Sequence, residues 1–206
     1  MRLFLYVLLA YYSSPVSAYA SFQAGDIILL PIDCYACRAI EKETGSPYAH
    51  SGLLVEENGQ LIVLEAWSKV EKTSFDDFMS RAKLGVTPLL IRSKELADKY
   101  QTAEDLTKLN SYLLSSFNKN YNGLKYDDDY VWDNKDENGK ELLYCSEMIT
   151  KLLNEILEHK MPTYTMTYTK ARDFWLKYFK GPPPAGKPGN NPGSFLKSEL
   201  FFIVEP

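Results

Sequence analysis

The dipeptide Asn58-Gly59 separates two short runs of mainly aliphatic residues, SGLLVEE and QLIVLEAW. Asn-Gly is a strong signal for a two-residue hairpin turn, because both residues accept the positive φ angles of a type I′ turn. The flanking runs therefore predict two antiparallel strands within residues 49–66. A turn at this dipeptide also sets the register of the two strands. The residue numbers of the two partners in each pair must then add up to the same total.

This register places two polar residues next to each other. Glu57 pairs with Gln60 and His50 with Trp67, so that Glu65 becomes the diagonal neighbour of His50 on the same face of the sheet. A four-residue loop would also keep the histidine and the glutamate on one face. Only a three-residue loop would separate them, because a one-residue slip turns every side chain to the opposite face.

Glu65 interrupts an otherwise apolar strand, IVLEAW. A carboxylate in such a strand is costly unless it is paired. Beside an imidazole it would fix the tautomer and stabilise the protonated ring, which is the third role in a nucleophile–base–orienter arrangement. The alternative is a half-exposed strand whose glutamate points to water.

Cys145 stands at the start of a predicted helix. From Ser146 onward the apolar positions recur at three- and four-residue intervals, which indicates one buried helical face: Met148, Ile149, Leu152, Leu153, Ile156 and Leu157. A cysteine in the first turn lies among unpaired backbone N–H groups and near the positive end of the helix dipole, both of which favour a thiolate. The alternative is a small buried thiol that only packs.

Five stretches together resemble a known family. They are GDIILL at 25–30, TGSPYAHSGLLV at 44–55, LEA at 64–66, GLKYD at 123–127 and YCSEMI at 144–149. Their content and order are similar to those of permuted papain-like amidases of the YaeF/YiiX type, which are related to NlpC-type cell-wall peptidases and lecithin–retinol acyltransferases. The histidine precedes the cysteine helix, as the permuted order requires. Ala49 departs from the serine that many such proteins carry, without consequence for the chemistry.

The resemblance implies an α+β, circularly permuted papain-like (NlpC-like) fold with a central antiparallel sheet packed against helices. It also implies a cysteine hydrolase in which Cys145 is the nucleophile, His50 the general base and acid, and Glu65 the orienting residue. Tyr48 and Tyr144 would line the substrate pocket or donate to the oxyanion, unless they only pack. No metal and no organic cofactor are required.

The resemblance further implies an amide or acyl bond in a peptide, cell-wall or acyl-lipid substrate. An acyltransferase or thioesterase is the first alternative, and a non-catalytic wall- or lipid-binding module is the second. No basic cluster is evident, and 23 basic residues face 27 acidic ones, for a net charge of −4, so nothing indicates a nucleic-acid partner. We expect a monomer.

The first twenty residues have the pattern of an export signal: Arg2, a short apolar stretch and small residues at VSA and AYA. We therefore expect a signal peptide at residues 1–20 and a single cysteine hydrolase domain at 21–206. The product would be periplasmic or secreted, with no later segment that crosses a membrane. A retained N-terminal anchor is the alternative.

Three cysteines in an exported protein suggest one pair and one free thiol. Cys34 and Cys37 are close enough to form a disulfide, and a redox pair or a metal site are the lesser alternatives. The other histidine, His159, is predicted to cap the end of the Cys145 helix. The acidic run at 127–129 lacks the spacing of a calcium loop and is interpreted as a solvated turn near the cleft.

The remaining elements follow from periodicity and from turn residues. We predict helices at 39–43, 74–79 and 103–118, a strand at 87–91, a short amphipathic segment ahead of residue 180 and a closing strand in ELFFIVEP. The proline- and glycine-rich stretch at 181–194 is predicted to be an irregular surface loop.

Overall fold

A computed structural model describes residues 22–204, so the predicted signal peptide lies outside the described residues. The strands are β1 (Ile27–Leu30), β2 (His50–Glu57), β3 (Gln60–Ala66), β4 (Val70–Ser74), β5 (Leu89–Ser93), β6 (Lys125–Tyr126), β7 (Leu142–Leu143), β8 (Tyr164–Thr165), β9 (Pro188–Gly189) and β10 (Phe201–Ile203). The helices are α1 (Cys37–Thr44), α2 (Phe75–Ser80), α3 (Lys94–Lys99), α4 (Ala103–Ser116), α5 (Cys145–Asn154), α6 (Arg172–Tyr178) and α7 (Pro192–Leu196). A π-helical turn, Phe117–Tyr121, extends α4.

Six strands form one antiparallel sheet in the order β10-β5-β1-β2-β3-β4. The predicted hairpin register is confirmed, since Glu57 pairs with Gln60 and Val55 with Ile62. Asn58 has a φ of 55° and Gly59 a φ of 75°, as a type I′ turn requires. The predicted helices and the closing strand are present, with ends shifted by a few residues.

The sheet separates two apolar clusters. The larger cluster joins the buried side chains of α5, among them Met148 and Leu152, to Leu53 and Leu64 of the central hairpin. The smaller cluster packs Phe78 of α2 against the other side chains of the same strands. Alternate residues of the hairpin thus serve opposite faces of the sheet, which is the two-residue period expected of a strand covered on both sides. None of the helices in the described part is both long and apolar enough to cross a membrane.

The prediction of an irregular surface loop at 181–194 is wrong in its second half. Residues 188–189 pair with 164–165 as a small two-stranded sheet, and α7 begins at Pro192. The side chain of Asn191 caps α7 by accepting a hydrogen bond from the Ser194 amide, and proline at the first helical position needs no N–H partner. These capping residues were present in the sequence, but the density of Pro and Gly concealed them.

Two further predictions need correction. Asp127 is fully buried and accepts hydrogen bonds from the amides of Asp129 and Val131 and from the side chain of Asn134. It organises the loop after β6, so the prediction of a solvated turn is wrong for Asp127, whereas Asp128 and Asp129 are exposed as predicted. His159 is exposed and lies beyond the end of α5, where it bonds Glu95 and does not cap the helix. A disulfide joins Cys34 to Cys37, as the favoured interpretation predicted.

Candidate active site

Cys145 is the first residue of α5 and is only 5% exposed. Tyr144, in extended conformation, is the N-cap residue, and no side chain caps this helix end. The amides of the first turn therefore have no partner within the helix, and they surround the sulfur with partial positive charge. Cys145 is the free cysteine among the described residues, as the odd cysteine count predicted.

His50 and Glu65 meet as the hairpin register predicted. The Nε2 atom of His50 lies 2.6 Å from Oε2 of Glu65, and both side chains are buried. The ring of Trp67 packs edge-on against the imidazole with centroids 5.1 Å apart, and the ring of Phe78 lies at 5.5 Å. Since Nε2 is bonded to Glu65, Nδ1 is the ring nitrogen left for the hydrogen bond that His50 makes with the thiol of Cys145.

The charges of Glu65, His50 and Cys145 shift the pKa values of the imidazole and the thiol in opposite directions. Burial lowers the pKa of His50, but the negative charge and hydrogen bond of Cys145, followed by those of Glu65, raise it to about 9. Burial raises the pKa of Cys145, yet the charge and hydrogen bond of His50, and then Ser51, bring it below the ordinary thiol value. The arrangement thus stabilises a thiolate beside an imidazolium relative to the neutral pair.

Two residues that the sequence analysis missed hold Glu65 from its other side. Thr73 of β4 donates its hydroxyl to Oε1, and the guanidinium of Arg81 lies 2.6 Å from the same oxygen. Burial raises the pKa of Glu65, but the hydrogen bond and charge of His50, then Arg81 and Thr73, lower it to about 2. The carboxylate is therefore ionised and fixed in position. Thr73 pairs with Val63 and is therefore a diagonal neighbour of Glu65 in the sheet. No sequence pattern predicts that Arg81 contacts Glu65.

A cleft of about 220 Å³ opens above Cys145. Its lining includes a set of aromatic side chains from four parts of the chain: Tyr126, Tyr130, Tyr144, Tyr164, Tyr168 and Trp175. Tyr144 is therefore one of the residues that line the cleft. Tyr48 is not part of this lining, because its ring is buried in the larger apolar cluster and its hydroxyl donates to the carbonyl of Thr87.

The segment 164–171 forms one wall of the cleft, and α1 holds it in place. The carboxylate of Glu43 accepts hydrogen bonds from the hydroxyl of Thr167 and from the amides of Thr169, Lys170 and Ala171. One side chain thereby satisfies three backbone donors of an exposed loop. The opposite wall includes Asn190, whose buried side chain donates to the Ser146 carbonyl and the Thr150 hydroxyl of α5. This second wall was missed because it lies in the stretch interpreted as a surface loop.

The described residues contain one group of carboxylates close enough to hold a metal ion: Asp133, Glu141 and Glu147. The ammonium of Lys151 already occupies its centre. This nitrogen lies 2.8 Å from Asp133 and 2.8 Å from Glu147, and it also contacts Glu141. A divalent ion would have to share that position with a fixed positive charge, so the residues as placed do not fit a metal.

The fold and the site define a papain-like protein in permuted order, with the histidine strand ahead of the cysteine helix. A family model described as permuted papain-like amidase enzyme, YaeF/YiiX, C92 family, matches residues 21–202. The chain belongs to this family and is an amidase- or peptidase-type hydrolase, as the resemblance implied.

A solved structure has the same fold. It is described as metalloprotein yiiX from Escherichia coli O157:H7 and is similar to this chain with a TM-score of 0.73 at 20% identity, over 90% of this chain and 97% of that one. Among curated proteins, none matches this sequence.

Proposed function

We propose that the protein is an exported amidase that uses Cys145 as nucleophile, His50 as general base and acid, and Glu65 as the orienting carboxylate. The single observation that carries this proposal is the hydrogen-bonded series Glu65–His50–Cys145, which ends on a sulfur at the floor of a cleft. The export step follows from the N-terminal sequence pattern alone.

In the proposed reaction, the thiolate of Cys145 attacks the carbonyl carbon of the substrate. Amides in the first turn of α5 stabilise the oxyanion, because they have no partners within the helix. His50 gives its proton to the departing amine as the tetrahedral intermediate collapses, which leaves an acyl group on the sulfur. Water, deprotonated by the same imidazole, then releases the acid and regenerates the pair.

The aromatic lining of the cleft favours substrates with apolar or ring-bearing parts beside the cleaved amide, in a peptide, cell-wall or acyl-lipid context. Tyr144 accepts a hydrogen bond from the amide of Asn190, and no acceptor for its own hydroxyl hydrogen is found among the described residues. It can therefore donate to the substrate. We derive no step through a metal. Among the described residues one cluster of carboxylates is close enough to hold a metal ion, and the ammonium of Lys151 occupies its centre.

The state of the thiol provides a direct test. An ordinary cysteine is only about 1% ionised at pH 6.5, so a thiolate stabilised by His50 should react with iodoacetamide faster. A thiolate of lower pKa is also a weaker nucleophile, and the net advantage we expect is about tenfold. His50→Ala should remove this advantage, whereas His159→Ala, which changes an exposed histidine bonded to Glu95, should not.

The site of alkylation is read by mass spectrometry, with Cys145→Ala as the blank. Equal rates in the wild type and His50→Ala at pH 6.5 would contradict the proposal. Capture of the acyl-enzyme with a panel of acyl probes then identifies the substrate class. Adding an amine acceptor separates hydrolysis from acyl transfer, because only a transferase forms the new amide in preference to the free acid.

A further inference from the structure

A second groove, of about 400 Å³, runs beside the cleft between α1 and the start of α6. Four cationic side chains line it: Arg38 and Lys42 from α1, and Lys170 and Arg172 from the segment that leads into α6. All four are exposed, and none makes an ion pair with any residue between 22 and 204. The one acid in the lining is Asp173. The groove is therefore strongly basic on a chain whose net charge is −4.

This concentration of charge opposes folding. Arg38 and Lys42 stand four residues apart on one helix, where like charges repel across a single turn. The nearby carboxylate of Glu43 forms no ion pair with either cation, because its oxygens accept hydrogen bonds from the hydroxyl of Thr167 and from backbone amides. An anion bound in the groove would relieve this repulsion, and a cluster of unpaired cations is the electrostatic complement of such a ligand.

Aromatic side chains adjoin the cations. Phe174 lines the groove and packs against Tyr35, with ring centroids 5.3 Å apart. Tyr35 is 69% exposed, so its ring is available to a surface that approaches this side of the groove. Basic residues next to an exposed amphipathic ring are the combination that binds the interface of an anionic membrane, where the cations meet phosphates and the ring enters the headgroup layer.

We propose that this groove binds the phosphate groups of anionic lipid headgroups and so docks the enzyme on a membrane surface. Lys170 lines both the groove and the cleft, so a lipid bound here lies next to the entrance that leads to Cys145. The docking itself does not depend on the reaction at Cys145. It can therefore be tested, and can fail, independently of the proposed function.

The experiment uses the full mature chain carrying Cys145→Ser, so that no turnover occurs. Binding is measured by co-sedimentation with vesicles of pure phosphatidylcholine and with vesicles that also contain phosphatidylglycerol. Arg38→Gln/Lys42→Gln is compared with a charge-matched control, Lys119→Gln/Lys140→Gln, which changes two exposed lysines elsewhere. Because each cation near an anionic surface contributes a factor of about 5, the first pair should weaken binding about 30-fold and the control far less. Thermal unfolding confirms that each variant is folded.

We expect binding only to the anionic vesicles, weakened by salt and by Tyr35→Ser. Equal losses in the two double variants would overturn the proposal, because net charge alone would then explain binding. Equal binding to both vesicle types would overturn it as well. A third arm titrates inorganic phosphate by thermal shift, and stabilisation by phosphate without any vesicle binding would show that the groove takes a soluble phosphate and not a lipid surface.

Discussion

Replacing Glu65 by glutamine isolates the contribution of one buried charge. The side chain is 1% exposed, and its two oxygens contact His50 on one side and both Thr73 and Arg81 on the other. Glutamine keeps the shape and one acceptor oxygen but removes the negative charge. Arg81 would then lose the carboxylate with which it pairs, and His50 would keep only the thiolate of Cys145 as a counterion. Removing one partner of a buried ion pair is costly, because the remaining charge is left without compensation.

The expected loss follows from the pKa of Glu65, which is about 2 in the folded chain. An unfolded glutamate titrates near 4.3, and each unit of difference corresponds to about 1.4 kcal/mol, so the charge stabilises the fold by about 3 kcal/mol at neutral pH. At about 2–4 °C for each kcal/mol, the variant should melt about 6–12 °C lower. Because the folded pKa is the lower one, this stabilisation is complete above pH 4.3 and disappears as the pH falls towards 2.

The matched control is Glu57→Gln on the same hairpin. Glu57 also lies 2.6 Å from a cation, Lys72, but this pair is partly exposed, at 33% and 24%. Exposed ion pairs contribute about 0–1 kcal/mol, so we expect little change in the melting temperature. Differential scanning calorimetry at pH 7 and pH 3 measures the melting temperatures of both variants and of the wild type. Equal losses in the two variants, or a Glu65→Gln deficit that does not shrink at pH 3, would refute this account.

Three further outcomes are expected. Gly52→Ala should lower stability by several kcal/mol and slow alkylation at Cys145, because a Cβ there would lie 2.2 Å from Cγ1 of Val63; circular dichroism and the alkylation rate test this. Glu43→Gln should speed hydrogen exchange at amides 169–171 and cost about 1 kcal/mol, and unchanged exchange would contradict its role. Cys34→Ser/Cys37→Ser should cost about 2 kcal/mol in chemical denaturation, as a short closed loop predicts, without changing alkylation at the remaining cysteine.

Local patterns predicted two parts of the candidate site, and the family resemblance joined them. The turn at Asn58-Gly59 set the hairpin register, and the two-residue period of a strand then placed Glu65 on the face of His50. The apolar spacing after Cys145 likewise predicted a helix that begins at the thiol. Both inferences depend only on neighbours along the chain, because hydrogen-bonding period and turn geometry are properties of short segments. The order of the motifs along the chain predicted the permuted papain-like fold, and the family match confirms this prediction.

The surroundings of that centre were decided by packing between distant segments. Arg81 follows α2 and reaches Glu65 only because Phe78 of the same helix packs against the sheet. Asn190 belongs to a stretch whose prolines and glycines resemble a surface loop, yet its side chain is buried against α5. Sequence therefore determined which residues share a strand face or a helix turn. Only the tertiary structure decided which remote side chains close the cleft and hold the carboxylate, because such contacts have no period along the chain.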